Sequence, residues 1–253
     1  MTRQWTLRPL CFGEFSAFEK SVLTYNQGQG VKFVAPITGW LLQSGAETIL
    51  VDTGPSVPEV ANRWHSAIRC SPEQRPDAAL RSLGLAPESL SVIILSHLHW
   101  DHCYNLECFP NARVIVQSQE LRAAVDPIPT QRIAYEVGIP GLRPPWLTAF
   151  DRLEVVRGDA DIAPGVRVLL LPGHTPGLQG VLVETAKGRH LVASDGAPHG
   201  DNLGSSGGAL VPPGIHIDVA QCLRSLERMQ READIILPSH DPAIFAHAVY
   251  PTA

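Results

Sequence analysis

Ser96-His97-Leu98-His99-Trp100-Asp101-His102 sets three imidazoles and one carboxylate within six consecutive positions, directly after the apolar run Val92-Ile93-Ile94-Leu95. The β-branched stretch from Ser91 to Ser96 predicts a short strand that runs straight into the polar cluster. Imidazole nitrogen and carboxylate oxygen are common donors to zinc and similar borderline ions. Residues two apart on an extended chain face the same way, so His97 and His99 can converge on one ion. Asp101 and His102 follow where the chain must turn, and they can face a second ion close by.

One loop supplies too few donors for such a site. Three later positions share its signature, a donor just past a short apolar strand: His174 after Val168 to Gly173, Asp195 after Leu191 to Ser194, and His240 after Ile235 to Ser239. Loops at strand ends are where a rigid scaffold presents functional groups. Gly173 and the neighbouring prolines permit tight turns there. For any of the three alone a structural role is the better reading, and their shared placement argues against coincidence. Ser96, Ser239, Thr175 and Asp52 are candidates to hold ligands in place. Cys103 and Cys108 read as small buried hydrophobes. His65, His190 and His247 read as bland, while His199 and His216 sit on a Gly/Pro-rich loop expected to face the metals. Trp100 is expected to pack under its loop, and Trp146 is a candidate substrate wall. The Gly204 to Gly208 stretch lacks the strand-to-helix context and lysine of a phosphate cradle.

Outward from these motifs, strands are expected at Val31 to Leu42, Thr48 to Asp52, Arg113 to Gln117, Leu153 to Val156, Val166 to Leu171, Gly180 to Glu184, His190 to Ala193 and Asp234 to Leu237. Helices are expected at Pro72 to Leu83 with Ser71 as cap, from Gln119 with Ser118 as cap, and at Val219 to Gln230. The segment Asp126 to Phe150 is rich in Pro, Gly and aromatic residues and cannot form one regular element. Strands, then helix–strand alternation, then strands again suit two sheets packed face to face with helices outside. At 253 residues the chain is read as one domain, 1–253, with an irregular insertion at about 126–150.

Composition narrows the function. The chain is 44% hydrophobic and 18% charged, with a net charge of −5. That offers no basic footprint for nucleic acid and no attraction to an anionic membrane. Met1 to Leu10 has no continuous apolar core of a signal peptide, and no run approaches a membrane span, so a cytoplasmic location is the default. Five cysteines, an odd number without a Cys-x-x-Cys pair, argue against a disulfide framework.

The motif His97-x-His99-x-Asp101-His102, followed by His174, Asp195 and His240, resembles the metallo-β-lactamase superfamily. So do Leu50-Val51-Asp52-Thr53-Gly54, Pro172-Gly173-His174-Thr175-Pro176-Gly177 and Pro238-Ser239-His240. Within it the chain looks most like the N-acyl-homoserine lactonases, on His97 to His102, the Phe109-Pro110-Asn111-Ala112 lead-in, and Asp195 with Asn202 beyond it. The resemblance implies an αββα sandwich with two divalent metals in the groove at one sheet edge. It assigns His97, His99 and His174 to one metal, Asp101, His102 and His240 to the other, and Asp195 to both. Zinc is the expected ion, with Mn, Co or Fe accepted by the same donors. Those lactonases carry a tyrosine shortly after the bridging aspartate. Here Gly196-Ala197-Pro198-His199-Gly200 follows, Pro198 stands in its place, and His199 is the candidate replacement.

The expected activity is a dinuclear metal-dependent hydrolase that opens a small lactone or related ester by attack of metal-bound hydroxide, with Asp101 orienting the nucleophile. The rivals are a hydrolase of a thioester, aryl ester, lactam or β-lactam, and an iron-dependent oxidoreductase on the same scaffold. The partner is a small molecule, with a homodimer contact through the insertion as a further expectation.

Overall fold

The computed structural model describes residues 4–204 and 208–252. Of the segments read above, Met1 to Arg3 and Ser205 to Gly207 lie outside the described residues.

Among the described residues, twelve strands form two mixed sheets. The larger is ordered β4-β1-β2-β3-β5-β6-β7: β4 (Ile68–Arg69), β1 (Thr6–Glu19), β2 (Lys32–Ser44), β3 (Glu47–Val51), β5 (Val92–Ile94), β6 (Arg113–Gln117) and β7 (Leu153–Val156). The smaller is ordered β12-β11-β10-β9-β8: β12 (Ile235–Pro238), β11 (Gly188–Ser194), β10 (Gln179–Thr185), β9 (Val166–Leu170) and β8 (Ala160–Ala163). Among the described residues the α-helices are α1 (Lys20–Leu23), α2 (Pro58–Trp64), α3 (Pro76–Ser82), α4 (Ser118–Val125) and α5 (Val219–Glu232).

Period-two alternation sorts the core into layers. Ile49 and Val51 of β3 and Val92 and Ile94 of β5 point between the sheets, where they meet Val168, Val181, Val192 and Leu237. Leu50 and Ile93, on the opposite pleat, join Leu80 of α3, Ala124 of α4 and Trp146 on the outer face. Leu226 and Met229 of α5 cover Leu169 and Leu191 on the other sheet's outer face. Cys222, Ser225, Leu226 and Met229 are the buried stripe of that helix, at helical spacing. The result is the αββα sandwich that the strand pattern and the resemblance implied.

Several local expectations are corrected. The long strand β1 was not expected from the sequence. Register shifts at Cys11/Gly13 and Phe15/Phe18 break its alternation, which hides a strand from any period-two reading. The helix expected from Pro72 is a 3₁₀ turn, Pro72–Gln74, then a break at extended Arg75 before Pro76. Ser118 does not cap α4 but opens it. The cap residue is Gln117, whose side chain donates to Gly158 O (2.6 Å) and Gln179 Oε1 (3.0 Å). The expected irregular stretch contains short 3₁₀ turns at Pro129–Gln131 and from Pro145. Trp146 there is buried in the outer core rather than exposed to substrate. No helix among the described residues is long and apolar enough to cross a membrane.

Parallel neighbours position the donors. β3 and β5 run parallel, so their C-terminal ends deliver Asp52 and Ser96-His97 side by side. β11 and β12 also run parallel and deliver Asp195 and His240. The chain leaving β9 brings in His174.

Candidate metal centre

The seven expected ligands come together. His97, His99 and His174 form one group, His97, His102 and Asp195 a second, and Asp101, His102 and His240 a third; within each group the ligand atoms lie within 4.8 Å of one another. Asp195 sits among them, with Oδ1 3.1 Å from His240 Nε2 and 3.4 Å from His102 Nε2, and Oδ2 3.5 Å from His174 Nε2. Asp101 Oδ2 lies 3.6 Å from His102 Nε2 and 3.8 Å from His240 Nε2.

Four of the imidazoles are held from behind by Nδ1. His97 Nδ1 meets Ser96 Oγ (3.0 Å), His102 Nδ1 meets Asp52 Oδ2 (2.8 Å), His174 Nδ1 meets Ile215 O (2.8 Å) and His240 Nδ1 meets Pro36 O (2.8 Å). The serine contact resolves into one donor order. Ser194 Oγ donates to Ser96 Oγ (2.7 Å), and Ser96 Oγ donates to Asp52 Oδ2 (2.7 Å). Ser96 Oγ is thereby free to accept from His97 Nδ1–H. With Nδ1 engaged outward, each ring turns its Nε2 lone pair to the centre.

The residues fit a bound cation. Nε2 of His97 and of His102 are buried and have no hydrogen-bond partner. His174 Nε2 and His99 Nδ1 face each other at 3.1 Å. Buried unpartnered polar atoms are costly unless something else satisfies them. Five imidazoles and two carboxylates around one hollow are the donor chemistry of a divalent pair.

Electrostatics divide the rings. Burial, reinforced for His97 by its neighbouring imidazoles, pushes His97 well below the usual histidine range, and burial with His174 alongside does the same to His99. His174 is also lowered, chiefly by burial. Neutral imidazole is the ligating form. Burial would lower His102 and His240 too, but Asp101, Asp195 and Asp52 around the first, and Asp195 and Asp101 around the second, raise both. Asp195 is opposed by burial, yet His240 and His102 hold it well below the usual carboxylate range.

A cavity of about 150 Å³ opens onto the cluster. Its polar floor includes His99, Asp101, His174, Asp195 and His240, and its walls include Phe15, Phe18, Leu23, Trp100 and Ile215. Pro198 also lines it, whereas His199 is absent from the lining. His199 Nδ1 accepts from Asp201 N (3.2 Å) and its ring meets Phe33, so the proposed replacement for the missing tyrosine is spent capping a 3₁₀ turn. His216 donates from Nδ1 to Pro213 O and packs on Tyr25. Of the expected supports, Asp52 and Ser96 hold ligands as described, and Ser239 Oγ donates to Asp195 Oδ1 (2.6 Å). Thr175 instead donates to Glu120 (2.6 Å). Cys103 donates to Leu98 O, and Cys108 lies beside Arg75; neither joins a donor group.

Two features escaped the sequence reading. Trp100 does not merely underlie its loop: it lines the cavity, edge-on to Phe15. His65, taken as bland, stacks flat on it with centroids 4.2 Å apart and 5° between planes. Nothing in the local sequence around His65 signals that contact, because Trp100 reaches it only through the fold.

Comparison with known proteins agrees with the geometry. The family model described as the metallo-beta-lactamase superfamily matches residues 34–240. An N-acyl homoserine lactonase from a Bacillus species is 30% identical over 220 residues, covering 81% of each chain. The N-acyl homoserine lactonase AttM of Azorhizobium caulinodans is 31% identical over 235 residues, covering 86% of each. A solved N-acyl homoserine lactone hydrolase with N-hexanoyl-L-homoserine bound at its catalytic metal center superposes with a TM-score of 0.77 at 27% identity, over 100% of this chain and 99% of that one. The motifs, the sandwich and the clustered donors thus converge with the family match, and the chain belongs to the metallo-beta-lactamase superfamily.

Proposed function

We propose that the protein is a metal-dependent hydrolase that opens a small lactone, with an N-acyl homoserine lactone the leading substrate. One observation carries the reading: seven buried donors cluster together, five of them on the floor of an apolar-walled cavity. The lactonase identity of relatives that match over most of their length supports the choice of bond. His97, His99 and His174 would hold one divalent cation and Asp101, His102 and His240 the other, with Asp195 between the two groups. Zinc is the favoured pair, and the cytoplasm the favoured compartment. Residues 1–253 act as one domain whose insertion supplies Ala134 to the cavity wall.

When bound, the cations would supply Lewis acidity, activating water as a nucleophile and polarising an ester carbonyl. The chain's own residues do the rest. Asp101, facing the cavity, accepts a hydrogen bond from the nucleophilic water and orients it. Phe15, Phe18 and Trp100 exclude bulk water and receive the apolar part of the substrate, which strengthens each polar contact on the floor. Pro198 and the turned-away His199 leave the wall after Asp195 without a hydrogen-bond donor of their own. Ser66 also lines the cavity and offers a hydroxyl that can donate to a substrate carbonyl.

The test is a panel of short and long acyl lactones, an aryl ester, a thioester and a β-lactam against stripped and reloaded protein. Lactone turnover is expected to vanish on chelation and to return with zinc, manganese or cobalt. Undiminished turnover by the stripped protein, or β-lactam turnover exceeding lactone turnover, overturns the proposal.

A further inference from the structure

We propose that Glu120 is a positioning residue for the metal centre: its carboxylate sets the separation between the loop carrying His97 and His99 and the loop carrying His174. The inference rests on the metal-ligand reading above.

Glu120 lies in the first turn of α4, is fully buried, and neither lines the cavity nor belongs to a donor group. Its four hydrogen bonds all come from outside its helix. Oε1 accepts from Leu98 N (3.0 Å) and Tyr135 Oη (2.8 Å). Oε2 accepts from Thr175 Oγ1 (2.6 Å) and Gly177 N (3.1 Å). Leu98 stands between His97 and His99, and Thr175 follows His174. One oxygen thus grips each loop, and the carboxylate is the clasp between them. The rings it brings together have centroids 4.6 Å (His97–His99), 4.9 Å (His97–His174) and 4.9 Å (His99–His174) apart.

The approach is close enough to exclude a side chain. A Cβ on Gly177 would lie 2.1 Å from Glu120 N, so the loop after His174 rests directly on the backbone of α4. Tyr135, the fourth donor, also packs edge-on against His99 at 4.8 Å.

The chemistry requires two acceptors. Each carboxylate oxygen receives one backbone N–H, a group that can only donate. A glutamine offers one carbonyl and one NH₂, so in either orientation one backbone N–H faces another donor. A buried donor left unmatched displaces its loop or pays for desolvation. A residue that merely stabilised α4 would satisfy its own helix, and Glu120 does not.

The experiment titrates zinc or cobalt into stripped full-length protein against a chromophoric chelator, resolving two binding steps. Glu120→Gln is expected to weaken one step by about 10–100-fold, the range for a lost support behind a ligand, while leaving the other within about threefold. The weakened step should be the one missing in His174→Ala. Thr175→Val keeps the carboxylate and both backbone bonds, and should weaken the same step by about tenfold. Circular dichroism confirms the fold. Equal losses at both steps, or wild-type affinity in Glu120→Gln, overturn the inference. If Glu120→Gln does not fold, Thr175→Val decides, and unchanged affinity at both steps overturns it. A wild-type chain that takes no second cation refutes the metal-centre reading itself, and is recognised before any variant is made.

Discussion

Asp52 Oδ2 lies 2.8 Å from His102 Nδ1, which ties the turn after β3 to the histidine loop after β5. The same carboxylate accepts Ser96 N and Ser96 Oγ, each at 2.7 Å, so one buried anion fixes the orientation of His102 and, through Ser96, of His97. Asp52 has φ of 60°, a left-handed conformation that Asn tolerates as well as Asp. Asp52→Asn therefore tests the charge without straining the backbone. It is expected to lower cation affinity at the Asp101/His102/His240 group by about 10–100-fold, read by chelator competition. Wild-type affinity would show that the contact is incidental.

Behind the cavity wall, Glu136 is fully buried and accepts from both Tyr104 Oη and His65 Nε2, the second at 2.8 Å. His65 in turn is stacked on Trp100. Glu136→Ala removes the acceptor shared by the part-buried Tyr104 hydroxyl and the His65 ring and is expected to cost about 2 kcal/mol in urea unfolding. Because Trp100 loses its backing, KM for an apolar substrate should rise by a larger factor than kcat falls. Unchanged unfolding midpoints would contradict the role assigned to this network.

Gly173 precedes His174 with φ of 140°, and a Cβ there would meet Cys222 N at 2.5 Å. The obstacle is the backbone of α5, which has no rotamer to change. Gly173→Ala is expected to destabilise the fold by about 2–3 kcal/mol through strain and overpacking. A melting temperature equal to wild type would show that the turn has slack.

Away from the site, Asp159 accepts from Arg228 and from Leu170 N (3.1 Å), joining the start of β8 to α5 and β9. Burial would raise its carboxyl, but Arg228 and the Leu170 N–H hold it below the usual carboxylate range. A lowered folded-state value stabilises the protein fully above the ordinary range, and that contribution is lost as pH falls through the lowered value. Asp159→Asn should cost about 1 kcal/mol at neutral pH, and the gap to wild type should narrow below about pH 4. A gap independent of pH would remove the charge from the explanation.

The sequence by itself determined which donor side chains the fold would gather. His97, His99, Asp101, His102, His174, Asp195 and His240 were all legible because each sits just past a short apolar strand, and that placement is local. The two-sheet architecture was legible for the same reason, from strands whose alternation is intact. β1 was not, since its bulges erase the period. What only the tertiary structure decided are contacts between segments far apart in the chain. Glu120 looks like any helical glutamate until two loops converge on it, and His65 like any surface histidine until Trp100 lies against it. His199 was drawn away from the cavity by an Asp201 N–H two residues on. Donor identity is written residue by residue, but the partner of a buried charge or ring is set by which strands lie side by side, and that follows from packing the two sheets together.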